Sequence, residues 1–245
     1  MTSGPRESLP SHPELLEWLA GELVRSGWRL RRVHELIVTS AAYRTDIRTR
    51  NAQAGPTLGS DVTAAPPWRR AQRLDAEALR DSLLAVSGVL RDQPGGPGFK
   101  PAIPAEATAS RTADRYPSTT PDDAAVWRRS VYLFVKRSVR FPFTEAFDAP
   151  DPTASCGRRI RTTVPTQQLA LLNDEFVRHR AEDFARRLER ETGGTEAAIR
   201  RGFALALGRT PRDPELAAAR DYLGRQSLTN FCHALFTLNE FIYVD

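Results

Sequence analysis

Apolar residues recur at spacings of three and four along most of this chain, which is the period of amphipathic α-helices. In the first third the pattern predicts two helices, over residues 11–27 and 30–43. Ser11 and Glu14 have the spacing of a capping box at the start of the first helix, and Gly27 fits its left-handed end. The pair is expected to form an αα-hairpin. A third helix is predicted over residues 75–87 and ends at Gly88.

The second half of the chain shows the same helical period almost continuously. Proline, aspartate or threonine precedes most of these apolar stripes and glycine follows several of them, as expected of helix starts and stops. Five further helices are predicted, over residues 165–172, 174–191, 195–207, 213–224 and 228–239.

Only residues 130–136 have the alternation of a strand. Their apolar side chains fall on both faces, so the strand is expected to be buried and to pair with residues 160–164 or 241–244. Residues 44–67 and 91–125 lack periodicity and are expected to be long loops. The fold class is therefore mostly α: one irregular multi-helix domain over residues 11–245, with one small β element and a flexible segment 1–10.

Positive charge is concentrated in the middle of the chain. The formal net charge is +5, and residues 128–161 carry eight basic and three acidic side chains, which is also +5. Only Lys100 and Lys136 are lysines among 35 basic residues. Such a bias is typical of GC-rich coding, so the composition is weak evidence for nucleic acid, and the basic stretch lacks interleaved exposed aromatic residues.

Several classes of protein lack their signatures in this sequence. Cys156 and Cys232 are too few for a disulfide framework, and two buried free thiols are favoured over a bridge. No C-x-x-C-H is present, so no covalent haem and no cofactor is expected in this chain. No apolar run is long enough to span a bilayer, and residues 1–10 contain no apolar run that would indicate a signal peptide.

Catalytic motifs are also missing. The four histidines are scattered singly, without metal-ligand spacing, and there is no G-x-S-x-G elbow. The run of glycines at residues 95–98, followed by Lys100, lacks the Lys-Ser/Thr pair of a phosphate loop and is read as a turn. If the chain is an enzyme, Asp148, Asp151 or His34 would have to act as acid or base.

The best candidate site combines the basic stretch with a helix start. Thr163 is predicted to cap the helix that begins at residue 165, and the free amides of such a start attract anions. Asp148 and Asp151 either belong to a rigid Asp-Pro turn or pair with Arg158 and Arg159, which would then present an arginine fork to an anionic ligand. The binding hypothesis names Arg128, Arg129, Lys136, Arg137, Asp148, Asp151, Arg158, Arg159, Arg161, Thr163 and Thr166.

Eight ordered motifs, spread over essentially the whole chain, resemble one known family. They are residues 12–20 (HPELLEWLA), 36–44 (LIVTSAAYR), 73–81 (RLDAEALRD), 129–132 (RSVY), 146–151 (AFDAPD), 168–174 (QLALLND), 207–209 (LGR) and 239–245 (NEFIYVD). Together they resemble the planctomycete domain of unknown function numbered 1553. Gln167-Gln168 departs from the family's proline-x-glutamine-alanine pattern, and the family's segment upstream of residue 12 is expected to be missing from this chain.

The resemblance implies a setting and no chemistry. In that family the domain is usually the C-terminal domain of a large exported protein that also carries a c-type cytochrome domain, so a periplasmic or cell-surface location is expected. No catalytic residues are carried over. The leading hypothesis is a helical interaction domain whose basic face contacts an acidic partner, such as the companion cytochrome-c-like domain, or a polyanionic glycan. The alternative is a hydrolase or redox accessory acting on polysaccharide.

Overall fold

A computed structural model describes residues 12–44, 72–101, 122, 124–137, 140–157 and 159–244. These residues group into two compact units, 12–44 and 72–244, which are described separately. The described residues are mostly α-helical, as the periodicity predicts. Whether residues 11–245 form one domain stays a prediction.

The first unit is the predicted helical hairpin. It contains α1 (Pro13–Arg25), α2 (Leu30–Thr39) and α3 (Ala41–Arg44). Gly27 has φ of +71° and reverses the chain after α1, as expected of a glycine at this position. Ser11, the predicted cap, lies outside the described residues. The helix predicted over 30–43 is interrupted at Ser40, whose ψ is extended and whose hydroxyl accepts a hydrogen bond from the Tyr43 amide.

The apolar stripes of this hairpin are less covered than predicted. No side chain within residues 12–44 is buried, and Leu15 and Trp18 are about half exposed. Each helix of a pair can cover only one face of the other, so two helices alone cannot enclose a hydrophobic core. The described part of this unit therefore has no interior.

The second unit contains a two-stranded sheet and eight α-helices within its described residues. The strands are β1 (Gln72–Arg73) and β2 (Tyr243–Val244). The helices are α4 (Ala76–Ser87), α5 (Pro142–Ala146), α6 (Pro165–Asn173), α7 (Glu175–Glu191), α8 (Thr195–Leu207), α9 (Asp213–Leu223), α10 (Leu228–Thr237) and α11 (Asn239–Ile242). All six helices predicted here are confirmed to within about two residues, because their periodicity and end signals agree.

Helix α7 lies at the centre of this unit and packs between α4 and α10. Its apolar face, with Val177, Phe184 and Leu188, is fully buried. The rings of Phe184 and Phe236 stack with centroids 5.4 Å apart. The interior is therefore one apolar core to which α4, α7, α8 and α10 contribute.

The predicted strand over residues 130–136 is wrong. Ser130–Tyr132 is a turn of 3-10 helix, and Leu133 makes only a single parallel bridge to Phe99. Val131 and Val135 are 76% and 60% exposed, so this segment is not buried on both faces. The C-terminal strand β2 pairs antiparallel with β1 instead, with Arg73 opposite Tyr243.

Both cysteines are free thiols. Cys232 is buried in α10, whereas Cys156 is exposed, so the expectation of two buried thiols is wrong for Cys156. Burial raises the pKa of Cys232 to about 12, with a further contribution from the charge of Glu189. Among the residues described, no helix combines the length and apolarity that a bilayer span needs.

Candidate functional site

Asp148 connects several segments in the region of the predicted binding residues. Its partner is Arg73 of β1, whose Nη2 donates to Oδ2 at 2.6 Å, and Arg73 is only 4% exposed. Asp148 also accepts hydrogen bonds from the amide (2.7 Å) and the hydroxyl (2.9 Å) of Thr162. The pair therefore connects β1 to the turn after α5 and to the segment before α6.

This environment favours the ionised form of Asp148. Burial by itself would raise the pKa of Asp148, but the hydrogen bonds from Thr162 and the positive charge of Arg73 outweigh it and lower the pKa below its ordinary value. Asp148 also has φ of +61°, a conformation that aspartate tolerates better than most residues. Its role in the described structure is to hold the backbone of the turn.

Arg159 and Arg161 are paired with the start of α4. Arg159 donates two parallel hydrogen bonds to the carboxylate of Glu77, at 2.7 and 3.0 Å, and Arg161 donates to Asp75 at 3.0 Å. The hydrogen bond to Glu77 raises the pKa of Arg159. Both guanidinium groups are therefore largely neutralised by acidic residues more than 80 positions away in the sequence.

Asp151 forms a local turn. Its Oδ1 accepts from the amide and hydroxyl of Thr153, at 2.8 and 2.6 Å, and its Oδ2 accepts from Arg140 at 2.6 Å. The bond from the Thr153 hydroxyl is the largest contribution to the lowered pKa of Asp151. The turn interpretation is therefore right for Asp151.

The predicted pairing of Asp148 and Asp151 with Arg159 is wrong, because Asp148 pairs with Arg73, Asp151 pairs with Arg140, and Arg159 pairs with Glu77. The sequence offers no rule for choosing among many nearby charges, and the fold brings β1 and α4 to these residues instead. Arg158 lies outside the described residues.

Arg128 supports the glycine-rich turn at residues 94–98. Its guanidinium lies over the Tyr132 ring, 4.1 Å from the centroid, and donates to the carbonyl oxygens of Pro97 (2.7 Å), Gln93 and Gly95. Five potential donors in one plane suit such carbonyl clusters. This contact agrees with the reading of the glycine run as a turn.

The predicted cap at Thr163 is wrong. The N-cap of α6 is Val164, which has no side chain able to accept a hydrogen bond from the helix. The Thr163 hydroxyl lies 3.0 Å from the Tyr243 hydroxyl instead, so it connects this segment to β2. Thr166 is exposed in the first turn of α6. The basic residues Arg159 and Arg161 are directed to α4, as described above, and not to the start of α6.

The remaining predicted residues belong to one stretch, residues 129–137, which we call the basic-apolar segment. Arg129 is 58% exposed and lies 3.8 Å from Asp81, too far for a hydrogen bond. Arg137 is exposed and has no ion-pair partner among the residues that the structure describes, and Lys136 is half-buried. The segment has three basic and no acidic side chains.

A groove of about 280 Å³ adjoins this segment. It is lined by Leu133, Phe134 and Val135 of the segment and by Ala149 and Pro150. Its charged residues balance each other: Glu77 pairs with Arg159, and Glu145 lies 3.7 Å from Arg140. The groove is therefore an apolar depression beside a positively charged strip of chain.

A second cavity, which the sequence reasoning missed, holds about 510 Å³ next to the start of α7. Near it, Arg180 is 2% exposed and donates two hydrogen bonds to Asp122, at 3.0 and 2.8 Å. His179 Nδ1 lies 3.3 Å from the same carboxylate. Burial raises the pKa of Asp174, the N-cap of α7, despite hydrogen bonds from two backbone amides.

A sequence signal for this region exists. Arg80 falls between Ala76 and Leu84 on the apolar stripe of α4, and Arg180 falls between Val177 and Phe184 on that of α7. A charged residue in the middle of a buried stripe is rarely buried without a partner. Two such arginines therefore predict buried polar clusters, although they do not identify the partners.

Comparison with known proteins gives a family and no function. A family model described as PSD1, protein of unknown function (DUF1553), matches residues 2–223. The chain therefore belongs to this family, which confirms the resemblance seen in the motifs. No curated protein and no solved structure matches the chain.

Proposed function

We propose that this member of the PSD1 family is a helical interaction domain that binds an acidic protein surface through its basic-apolar segment. One observation carries the proposal: residues 129–137 expose Val131, Phe134 and Val135 next to the basic side chains of Arg129, Lys136 and Arg137. Exposure of apolar side chains to water is unfavourable, so a partner that covered them would gain binding free energy.

The adjoining groove supports a protein partner over a polyanionic glycan. Because Arg159 and Arg140 are already paired with carboxylates, the groove offers apolar walls and little free positive charge. A sulfated glycan would use the three basic side chains and leave the apolar ones exposed. An acidic protein surface can place an apolar side chain in the groove and carboxylates beside the cations.

The companion domain that the family resemblance implies is the partner we favour. In such proteins a c-type cytochrome domain accompanies this one in an exported chain, and an acidic patch on it would complement residues 129–137. The proposal assigns no cofactor to this chain itself, which has no C-x-x-C-H sequence.

A binding titration tests the proposal. The companion cytochrome-c-like domain is immobilised, and binding of the wild-type chain is compared with that of the triple variant Arg129→Ala, Lys136→Ala, Arg137→Ala. Three rim charge pairs of about 0.5 kcal/mol each predict roughly tenfold weaker binding at moderate salt. The matched control is Arg190→Ala, Arg212→Ala, Arg225→Ala, which removes the same charge from exposed positions elsewhere and should bind as wild type.

A second variant separates the two kinds of partner. Val131→Ser with Val135→Ser should weaken binding to the protein domain and leave any binding to heparin unchanged, because heparin offers no apolar surface to these residues. Equal binding of the domain by wild type and both segment variants would reject the proposal. Binding of heparin alone, sensitive only to the arginine and lysine substitutions, would replace the protein partner with a glycan.

The residues first considered for an enzyme do not support that alternative. The pKa values of Asp148 and Asp151 are both lowered by hydrogen bonds and cationic partners, which is the opposite of what a proton donor needs at neutral pH. His34 is an exposed residue of α2 in the first unit. A hydrolase would therefore need other residues, and the raised pKa of Asp174 directs attention to the second cavity.

A further inference from the structure

The cavity beside α7 has the properties of a binding site separate from the basic-apolar segment. Its volume of about 510 Å³ falls in the range of small-molecule pockets. Phe143 and Phe176 form part of an apolar wall, and Arg80, Asp174 and His179 supply polar groups. Asp122, Asn173 and Glu175 also line it, so about half of its described lining residues are polar and half are apolar, a mixture that can orient a ligand.

His179 lies between two acidic side chains at the cavity. Asp122 lies 3.3 Å from His179 Nδ1 and is itself fixed by Arg180 and by the indole Nε1 of Trp127, which donates at 2.8 Å. A carboxylate at Nδ1 favours the tautomer with the proton on that nitrogen. Nε2 lies 3.8 Å from the nearest Glu175 oxygen, beyond hydrogen-bond distance, and is left for a ligand.

Arg80 has an unused hydrogen-bond donor at this cavity. Its side chain is 1% exposed, and its terminal nitrogens donate to the carbonyl oxygens of Arg128 and Val126 and to the Ser130 hydroxyl. Its Nε has no partner within the part of the chain that the structure describes. A buried unpaired donor is costly, so a ligand acceptor that displaced the groups covering Nε would be stabilised by it.

The charges around the cavity select the class of ligand. Asp122, Asp174 and Glu175 would repel an anion. An organic cation would compete for the Phe176 ring with Arg80 and Arg180, whose guanidinium groups each lie 5.2 Å from its centroid. No group of three or more metal-binding side chains occurs among the described residues. An uncharged ligand that both donates and accepts hydrogen bonds is the class that fits.

We propose that this cavity binds a neutral carbohydrate, with His179, Asp174 and Arg80 as its hydrogen-bonding groups. Sugar hydroxyls can accept from Arg80 Nε and donate to His179 Nε2 and to the Asp174 carboxylate, and the apolar faces of a sugar ring suit the phenylalanine wall. The site shares Phe141 with the groove described above and is otherwise built from different residues.

Calorimetric titration of the whole chain with neutral oligosaccharides tests this proposal. The probes are cellobiose, maltose, chitobiose and their longer homologues, with glucuronic acid and glucosamine as charged comparisons. At least one neutral series should bind, and His179→Ala should weaken its binding at least tenfold. Asp174→Asn should weaken it as well while it preserves the cap of α7, because asparagine caps helices as well as aspartate does.

Two controls make the result specific. His34→Ala replaces an exposed histidine of the first unit and should leave sugar binding unchanged. The triple variant of the basic-apolar segment should also bind sugar as wild type, so failure of either proposal is separable from failure of the other. Absence of binding by all neutral probes, equal binding by His179→Ala and Asp174→Asn, or equal binding of the charged probes would overturn the proposal.

Discussion

Side chains that the sequence marks as chemically interesting serve here mainly as structural connectors. Arg73 donates four hydrogen bonds, three of them to the carbonyl oxygens of Thr162, Leu74 and Phe147 and one to Asp148. A guanidinium that is only 4% exposed is tolerated because these acceptors replace its water. Two motifs of the family resemblance, RLDAEALRD and AFDAPD, therefore meet through this one pair.

The consequence for stability can be measured with Asp148→Ala. Removing the carboxylate leaves the buried Arg73 without its anion, and we expect the free energy of unfolding to fall by about 3 kcal/mol. Urea denaturation monitored by circular dichroism gives the value. Asp151→Ala is the matched control in the same motif, and its loss should be much smaller because Asp151 is exposed. Similar losses for the two variants would contradict the assigned role of Asp148.

At the scale of elements, helix ends are completed by side chains from other helices. The last carbonyl groups of α4 have no N–H donors within the helix, as at every helix C-terminus. Arg187 of α7 donates to two of them, Ala85 O at 3.1 Å and Val86 O at 2.9 Å. Gly88 follows with φ of +81°, and a Cβ there would lie 3.0 Å from Arg187 Cδ. The end of α4 and the surface of α7 are therefore fitted to each other.

Arg187→Ala tests this capping contact. Two carbonyl groups lose a charged donor at a helix C-terminus, so we expect a loss of about 1–2 kcal/mol in the free energy of unfolding. Arg190→Ala removes an exposed arginine of the same helix and should change it by less than about 0.5 kcal/mol. The melting temperatures of both variants and of the wild type are compared by thermal denaturation. Equal melting temperatures for Arg187→Ala and Arg190→Ala would argue against the capping contact.

At the scale of the whole molecule, many of the arginines pair with carboxylates of other elements. Arg209, for example, donates to Glu215 of α9 and to Glu240 of α11, and its hydrogen bond is the main reason that the pKa of Glu215 falls to about 2. Among the residues that the structure describes, the carboxyl groups with lowered pKa are Asp122, Asp148, Asp151, Glu191 and Glu215. Asp174 has the opposite shift.

These shifts predict acid sensitivity. A carboxyl group whose pKa is lower in the folded state contributes stability above its unfolded value of about 4, and loses that contribution as the pH falls through the folded value. Five groups act in this direction and Asp174 acts against them, so the melting temperature should fall steadily between about pH 4.5 and pH 2. Calorimetry across that range provides the test. Glu215→Gln should show a shallower decline, and a constant melting temperature would refute the expectation.

Most helices were predictable because their determinants are local. The repeat of apolar residues, the cap at Asp174 and the terminal glycines Gly88 and Gly208 all act within a few positions of each other. The strand over residues 130–136 was not predictable in the same way. A strand needs a partner, and the pairing of β1 with β2 joins residues about 170 positions apart in the sequence.

The family, the mostly α class and the positions of the longer helices follow from the amino-acid sequence, since these depend on short-range periodicity and recognisable motifs. Which charges pair with each other depends on how the elements pack. Asp148 pairs with Arg73, and Arg159 pairs with Glu77. A charged side chain pairs with whichever oppositely charged group the packing of β1 and α4 brings within hydrogen-bond distance. What was left exposed, the basic-apolar segment and the cavity beside α7, is likewise a product of packing, and both proposals depend on it.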